Sequence, residues 1–234
     1  MKGSISKDHK FCLIVKKEDL KSLNDFICKE YKHIEYTIHT NNGIKYELIS
    51  FDEIINYDNY DFKKIIQIYI QAQNEKSTDN IFFPDFAISI SDITNYSTSI
   101  SYYIKNATEK EIDYHTQKIE ELIHEFKPKY SWLYNRTNGL LVSLMTLLLI
   151  VIPLQILLKD KIDKALYYTF IIFGGIFTGW GWALSYDRVV SIFFQKTIFC
   201  IGKQQEFYDN KKSLRKNLLG GLLLHFLLAY WLLF

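Results

Sequence analysis

Apolar and polar positions follow two different rules along this chain. Up to about residue 126 they alternate with short periods; from residue 139 onward long apolar runs dominate. In the first part, Lys10–Lys16 (KFCLIVK) reads as a strand. Leu20, Leu23, Phe26, Ile27 and Tyr31 then recur at spacings of three and four, which predicts a helix over Glu18–Lys32. HIEYTIHT and IKYELIS flank the turn signal NNG and predict paired strands. Phe51–Asn56 suits one helical turn. Over Lys63–Gln73, Ile66, Ile68 and Ile70 alternate with Gln67, Tyr69 and Gln71, the period of a half-buried strand. Asp85–Ser91 and Thr98–Lys105 repeat that period. Thr108 stands three residues before Glu111 in a capping-box pattern. Ile112, His115, Ile119, Leu122, Ile123 and Phe126 follow on one helical face, and Pro128 ends it. The expected fold class is α+β: an antiparallel sheet with two flanking helices, occupying residues 1–134.

The second part, residues 135–234, reads as a membrane domain. A bilayer core about 30 Å thick needs roughly 20 apolar residues of helix. Gly139–Leu158 and Ala165–Tyr186 meet that length without a charged side chain. The connector KDKIDK between them is short enough for an antiparallel hairpin. Leu218–Phe234, with 17 residues, is a third span at the short limit, or else an interfacial helix. Residues 187–217 between spans are expected to be cytosolic or interfacial. Within them Val189–Gly202 is open to three readings: a helix extension, an interfacial helix, or a short strand in TIFCIG.

Orientation follows the cations. Lys127, Lys129 and Arg136 precede the first span, and seven Lys/Arg lie in residues 187–217, against three lysines in the connector. That bias places the N-terminal domain and residues 187–217 in the cytosol. Trp132, Trp180 and Trp182 sit beside predicted membrane boundaries and read as interface anchors. Gly175 and Gly179 form a G-x-x-x-G pair suited to close helix packing, within the chain or between copies. Pro153 predicts a kink in the first span. Gln155 and His225 are the notable intramembrane polar groups, suited to hydrogen bonding across helices.

Composition adds exclusions. The net charge of +2 is too small for nucleic-acid binding by the whole chain. The excess of 25 Lys over 3 Arg accompanies 32 Ile against 6 Ala, a bias of genome composition, so it is not read as function. Three cysteines with no CxxC pair suit a reducing compartment and apolar packing. The N-terminus MKGSISKDHK lacks the apolar run of a signal peptide. The expected location is the bacterial inner membrane, multi-pass, with the N-terminal domain cytosolic.

No phosphate-loop, dinucleotide, zinc-protease or nucleophile-elbow motif occurs. His33 and His39 are six residues apart on a strand-like run and share a side, but a metal needs a third ligand that the sequence does not place there. Asp52, Glu53, Asp58 and Asp61 read as a solvated loop. No catalytic, cofactor-binding or metal residue is assigned, and the protein is not expected to be an enzyme.

In layout the whole chain resembles uncharacterised small bacterial inner-membrane proteins with a cytosolic α/β domain, a helical hairpin and a further C-terminal helix. Some proteins of that layout are membrane effectors in anti-phage defence, so the resemblance implies such a role; it carries no site residues. The expected function is a sensor or adaptor: the cytosolic domain binds a protein partner or small ligand and couples it to the spans, which perturb the bilayer or form a homo-oligomer. Two alternatives stand beside it. One is a membrane-surface enzyme acting on lipid or a lipid-linked substrate, for which Asp187 and Arg188 are the adjacent opposite charges near a span; the other is a structural tether.

Overall fold

The computed structural model describes residues 2–74, 84–92, 98–134, 163 and 194–233, with side chains of the C-terminal helix described as far as Asn217 and at Gly220 and Gly221. The strands are β1 (Gly3–His9), β2 (Leu13–Lys16), β3 (His33–Thr40), β4 (Lys45–Leu48), β5 (Ile65–Gln73), β6 (Phe86–Ser91), β7 (Ile100–Ala107) and β8 (Thr197–Cys200). The helices are α1 (Lys17–Glu30), α2 (Phe51–Ile55), α3 (Glu109–Glu125) and α4 (Lys203–Leu233). The chain divides into two compact units, Met1–Pro128 with Lys196–Phe234, which holds all of these elements, and Lys129–Gln195. The first unit is thus discontinuous in sequence: β8 and α4 group with the N-terminal elements, whereas the hydropathy pattern suggests a division at residue 134.

The α+β class is as the alternation implies. Six strands form one antiparallel sheet in the order β1-β7-β6-β5-β3-β4. Its registered pairs sort the two faces. One inner row runs His9, Ile100, Ile90, Ile68, Ile38, Tyr46, and the next runs Lys7, Tyr102, Ile88, Ile70, Tyr36, Leu48. Leu20, Leu23 and Ile27 of α1 join these rows in the core, together with Ile119 and Ile123 of α3 and Phe126 at its end. The opposite face carries Asp8, Ser101, Ser89, Tyr69, Thr37 and Glu47 in one row, the polar side an antiparallel sheet can leave to water. A register shift between His39 and Thr40 leaves Ile66 as the extra residue of β5. This bulge lets both Ile65 and Ile68 point inward and leaves Ile66 half-buried, against the simple alternation expected there.

The first strand needs correction. Of Lys10–Lys16 only Leu13–Lys16 is strand, and it pairs parallel with β8 in a separate two-stranded sheet. The edge strand beside β7 is instead β1. Its inward positions include Lys7 and His9, so it has no apolar alternation to announce it; Glu120 of α3 supplies the counter-charge to Lys7 at 3.2 Å.

Among the described residues no helix is long and apolar enough to cross a membrane. The expected spans 139–158 and 165–186 lie outside the described residues. Of the third, 218–234, residues 218–233 fall within α4, whose backbone runs as one helix from polar Lys203 to Leu233. For Val189–Gly202, the strand reading holds at Thr197–Cys200.

Candidate functional site at the chain crossover

β2 occupies the position through which the chain leaves and re-enters the first unit. Leu13, Ile14 and Val15 are all buried. Their run of branched and apolar side chains suits a strand covered on both faces. The Leu13 amide donates to the Lys196 carbonyl at 2.8 Å, and the next amide, Ile14, donates to the Phe126 carbonyl at 2.8 Å. Phe126 is the C-cap of α3, the last element before the hydrophobic segment, and Lys196 is the first residue of this unit after it. Two consecutive amides of β2 therefore join residues 126 and 196, the first-unit positions that flank that segment in sequence. β8 continues the seat: Thr197, Ile198, Phe199 and Cys200 are buried and register with Leu13, Ile14, Val15 and Lys16. Burial pushes the Cys200 thiol up to about 12, so it is a packed apolar group.

The second unit is tied between its own two sequence ends. Tyr130, just before the 3₁₀ turn Ser131–Tyr134, donates its hydroxyl to the Gln195 carbonyl at 3.1 Å, and the Tyr134 hydroxyl donates to the Phe194 carbonyl. The rings of Tyr130 and Phe194 lie 5.0 Å apart. Tyr130 and Tyr134 thus bracket Trp132, which is 52% exposed.

The start of α4 is held as firmly. Gly202, at φ +54, is left-handed and lies against the 57–59 loop: a Cβ there would stand 2.6 Å from the Tyr57 carbonyl oxygen and 2.7 Å from the Asn59 nitrogen. Asn59 is 0% exposed. Its Nδ2 donates to the Phe199 carbonyl at 3.0 Å, and its Oδ1 accepts from the Ile65 amide at 2.8 Å. One amide side chain thereby joins β8 to the head of β5 and satisfies two backbone groups that water cannot reach.

Polar side chains also fasten the helices to the sheet and to each other. Glu120 Oε1 accepts from Tyr102 at 2.8 Å and from Lys7 at 3.2 Å. His9 Nε2 is also 3.2 Å away but without hydrogen-bond geometry, so Lys7 and Tyr102 carry this pairing. Burial raises the Glu120 pKa, but the hydrogen bonds from Tyr102 and Lys7 outweigh it and leave the carboxyl below its ordinary value. His115 lies 3.3 Å from Glu30 and 3.4 Å from the Tyr31 hydroxyl, bridging α3 to the end of α1.

A groove of 680 Å³ runs between α1 and the β4–α2 connection. Lys21, Asn24 and Cys28 of α1 line one wall, and Ile49 and Phe51 the other. At its floor the Tyr36 hydroxyl donates to Asn24 Oδ1 at 2.7 Å. Ile49 is 92% exposed beside it, an apolar side chain left in water at the groove's rim. α1 follows β2 directly, Lys17 after Lys16, so the groove wall is continuous with the strand that seats the crossover.

Of the residues singled out from sequence, Gln155, Gly175, Gly179, Trp180, Trp182, Asp187 and Arg188 lie outside the described residues, and His225 falls on α4 where side chains are not described. Trp132 is placed in the 3₁₀ turn Ser131–Tyr134. His33 and His39 register with Gln73 and Gln67 on β3, and burial followed by nearby Lys45 lowers the His39 pKa. Among the described residues no group of three His, Cys, Asp or Glu is arranged to hold a metal. Sequence reasoning misses Asn59 and Gly202; the one signal available is a glycine directly after the TIFCI run. No protein-family model matches the chain, and no curated protein or solved structure matches it.

Proposed function

We propose that the protein is an integral membrane protein of the bacterial inner membrane whose cytosolic α+β domain binds a partner or ligand and transmits that binding to membrane spans. The observation that carries this reading is the pair of consecutive amides, Leu13 and Ile14, bonded to Lys196 and Phe126. A segment whose two ends meet on one strand returns to the side it left. That is what an even number of spans requires, and residues 139–158 and 165–186 have the length and apolarity of two. Lys127 and Lys129 at one end and Lys196 at the other favour the cytosol for both.

Coupling follows from continuity. The groove wall on α1 leads without a loop into β2, and β2 joins the two positions that flank the hydrophobic segment and pairs with β8, which leads into α4. A ligand or peptide that shifts α1 along its axis acts on all three connections at once. The spans then respond as a membrane-perturbing effector, with Gly175 and Gly179 suited to close packing between copies. Defence against phage is the role that the layout resemblance suggests.

Induced expression in bacteria carrying a membrane-potential dye tests the reading. Depolarisation on overproduction, abolished by Gly202→Ala at equal membrane abundance, is the expected result. A protein that fills the membrane fraction at high level and leaves the potential unchanged contradicts the effector role.

A further inference from the structure

The first half of α4 is unlike the other helices in its charge. From Lys203 to Asn217 it carries five cations and two acids, and the cations crowd toward the end: Lys211, Lys212, Arg215 and Lys216 fall within six residues, immediately before the uncharged stretch 218–234. At about 100° per residue these four cover roughly 140° of the helix circumference, with Glu206 and Asp209 outside that arc. Phe207 and Leu214, seven residues apart and so on one side, flank it and are 41% and 52% exposed. Lys211 Nζ lies 4.7 Å from the centre of the Phe207 ring, and the Arg215 guanidinium 5.6 Å from that of Tyr208. Cations laid over aromatic rings, one of them exposed, and bordered by exposed leucine are the side-chain set of an interfacial helix.

A run of lysines on a surface helix is most often merely solvated, and here two features speak against that. Exposed Phe207 and Leu214 adjoin the charge instead of lying on the far side. In addition, burial first and then the like charges of Arg215 and Lys64 lower the Lys211 ammonium from its ordinary value, which sets three cations near one another. An anionic surface relieves that repulsion, while neutral headgroups do not.

We propose that residues 207–216 of α4 form a collar that binds the phosphate groups of anionic phospholipids, with Phe207 and Leu214 entering the interface beside Lys211, Lys212, Arg215 and Lys216. The proposal rests on the membrane reading above and adds to it the class of lipid. The four cations lie within about 10 Å of Leu218 along the helix axis, from 1.5 Å rise per residue. They therefore reach headgroups when the apolar stretch lies in hydrocarbon. Each cation near an anionic surface strengthens association about fivefold, so the four together favour anionic over neutral lipid by on the order of a hundredfold or more.

The test uses the full chain in neutral detergent, mixed with equimolar dioleoyl-phosphatidylglycerol and dioleoyl-phosphatidylcholine, with bound lipids counted by native mass spectrometry. The expected result is at least tenfold preference for phosphatidylglycerol. It is lost when Lys211, Lys212, Arg215 and Lys216 are all changed to Gln, and kept when the three lysines are changed to Arg. Equal retention of the two lipids by the unaltered chain, or a preference that survives the Gln variant, overturns the collar. Flotation with phosphatidylcholine vesicles separates the two readings. A chain that floats after carbonate washing but shows no lipid preference defeats the collar alone. A chain that is monodisperse without detergent and does not float defeats the membrane reading itself.

Discussion

The amide of Leu13 donates to the carbonyl of Lys196, joining the second strand of the N-terminal unit to the residue at which the chain re-enters that unit. Because Ile14, one residue on, does the same for Phe126, the crossover is a single structural element and not two separate attachments. What seats it is side-chain burial: Leu13, Val15 and Phe199 share the main core with the sheet, α1 and α3.

Phe199→Ala removes the largest side chain of β8 from that core and is expected to cost about 3–5 kcal/mol, the range for buried aromatic truncation. Cys200 reports the loss. Cys12 and Cys200 are buried and Cys28 is exposed, so maleimide at pH 8 labels the unaltered folded chain at Cys28 alone. In the Phe199→Ala protein, labelling at Cys200 rises toward the rate at Cys28, read by peptide mass spectrometry. Continued protection of Cys200 in that variant contradicts the seat described for β8.

Gly202→Ala meets two obstacles at once, a left-handed backbone and backbone atoms at 2.6 and 2.7 Å from the new Cβ. A non-glycine residue in that conformation costs about 1–3 kcal/mol before any clash. The neighbours are main-chain atoms of Tyr57 and Asn59, which cannot swing aside as a side-chain tip would. The expected loss is about 2 kcal/mol or more, measured as a lowered melting temperature in detergent. An unchanged melting temperature shows that the 57–59 loop does not press on Gly202.

Asn59→Ala leaves the Ile65 amide buried without its partner and takes one donor from the Phe199 carbonyl, which keeps the Ile201 amide at 2.8 Å. The orphaned Ile65 amide costs about 1–3 kcal/mol, more than an ordinary surface substitution. Denaturant titration checks this. Asn59→Asp can still accept from Ile65 but cannot donate to Phe199 when ionised, so it is expected to restore only part of the stability.

Glu120 sets one arm of the pH dependence. Its folded pKa lies below its ordinary value because the Tyr102 and Lys7 hydrogen bonds outweigh burial. A carboxyl of this kind stabilises the fold above its unfolded pKa of about 4.3, and that contribution is lost as pH falls through the lower folded value. Glu120→Gln removes the slope. The stability difference between the unaltered protein and Glu120→Gln, followed by denaturation from pH 7 to pH 3, is expected to shrink below about pH 4. A difference that stays constant over that window contradicts the pairing.

Much of the sheet is legible from period alone, because most inward positions are Ile and most outward ones are Ser, Tyr or Gln. The Thr108 capping box appears as expected: Thr108 N donates to Glu111 Oε2 at 2.7 Å, and Thr108 Oγ1 accepts from Glu111 N. β1 escapes that reading for a physical reason. Its inward Lys7 is satisfied by Glu120, more than a hundred residues away, so the strand carries no local apolar signal. The strand reading of TIFCIG fits β8, but its pairing escapes the sequence for another reason. It is four residues long and parallel to a partner near the opposite end of the chain, a pairing no local spacing announces. Asn59 sits in a stretch of Asp and Tyr that reads as solvated loop, yet its amide is enclosed and bonded to β8. The groove and the crossover are tertiary arrangements, and neither is written in any one segment.

The account stands on both ends of the hydrophobic segment lying on one side of a membrane, with the connector on the other. Cys28, exposed on α1, supplies an internal cytosolic control. A Lys161→Cys protein, which carries one added thiol in the connector, is expressed in spheroplasts and treated with a membrane-impermeant maleimide before and after lysis. The account predicts that the connector thiol is labelled in intact spheroplasts and Cys28 only after lysis. Labelling of both sites before lysis, or protection of the connector thiol until lysis exposes both, contradicts it.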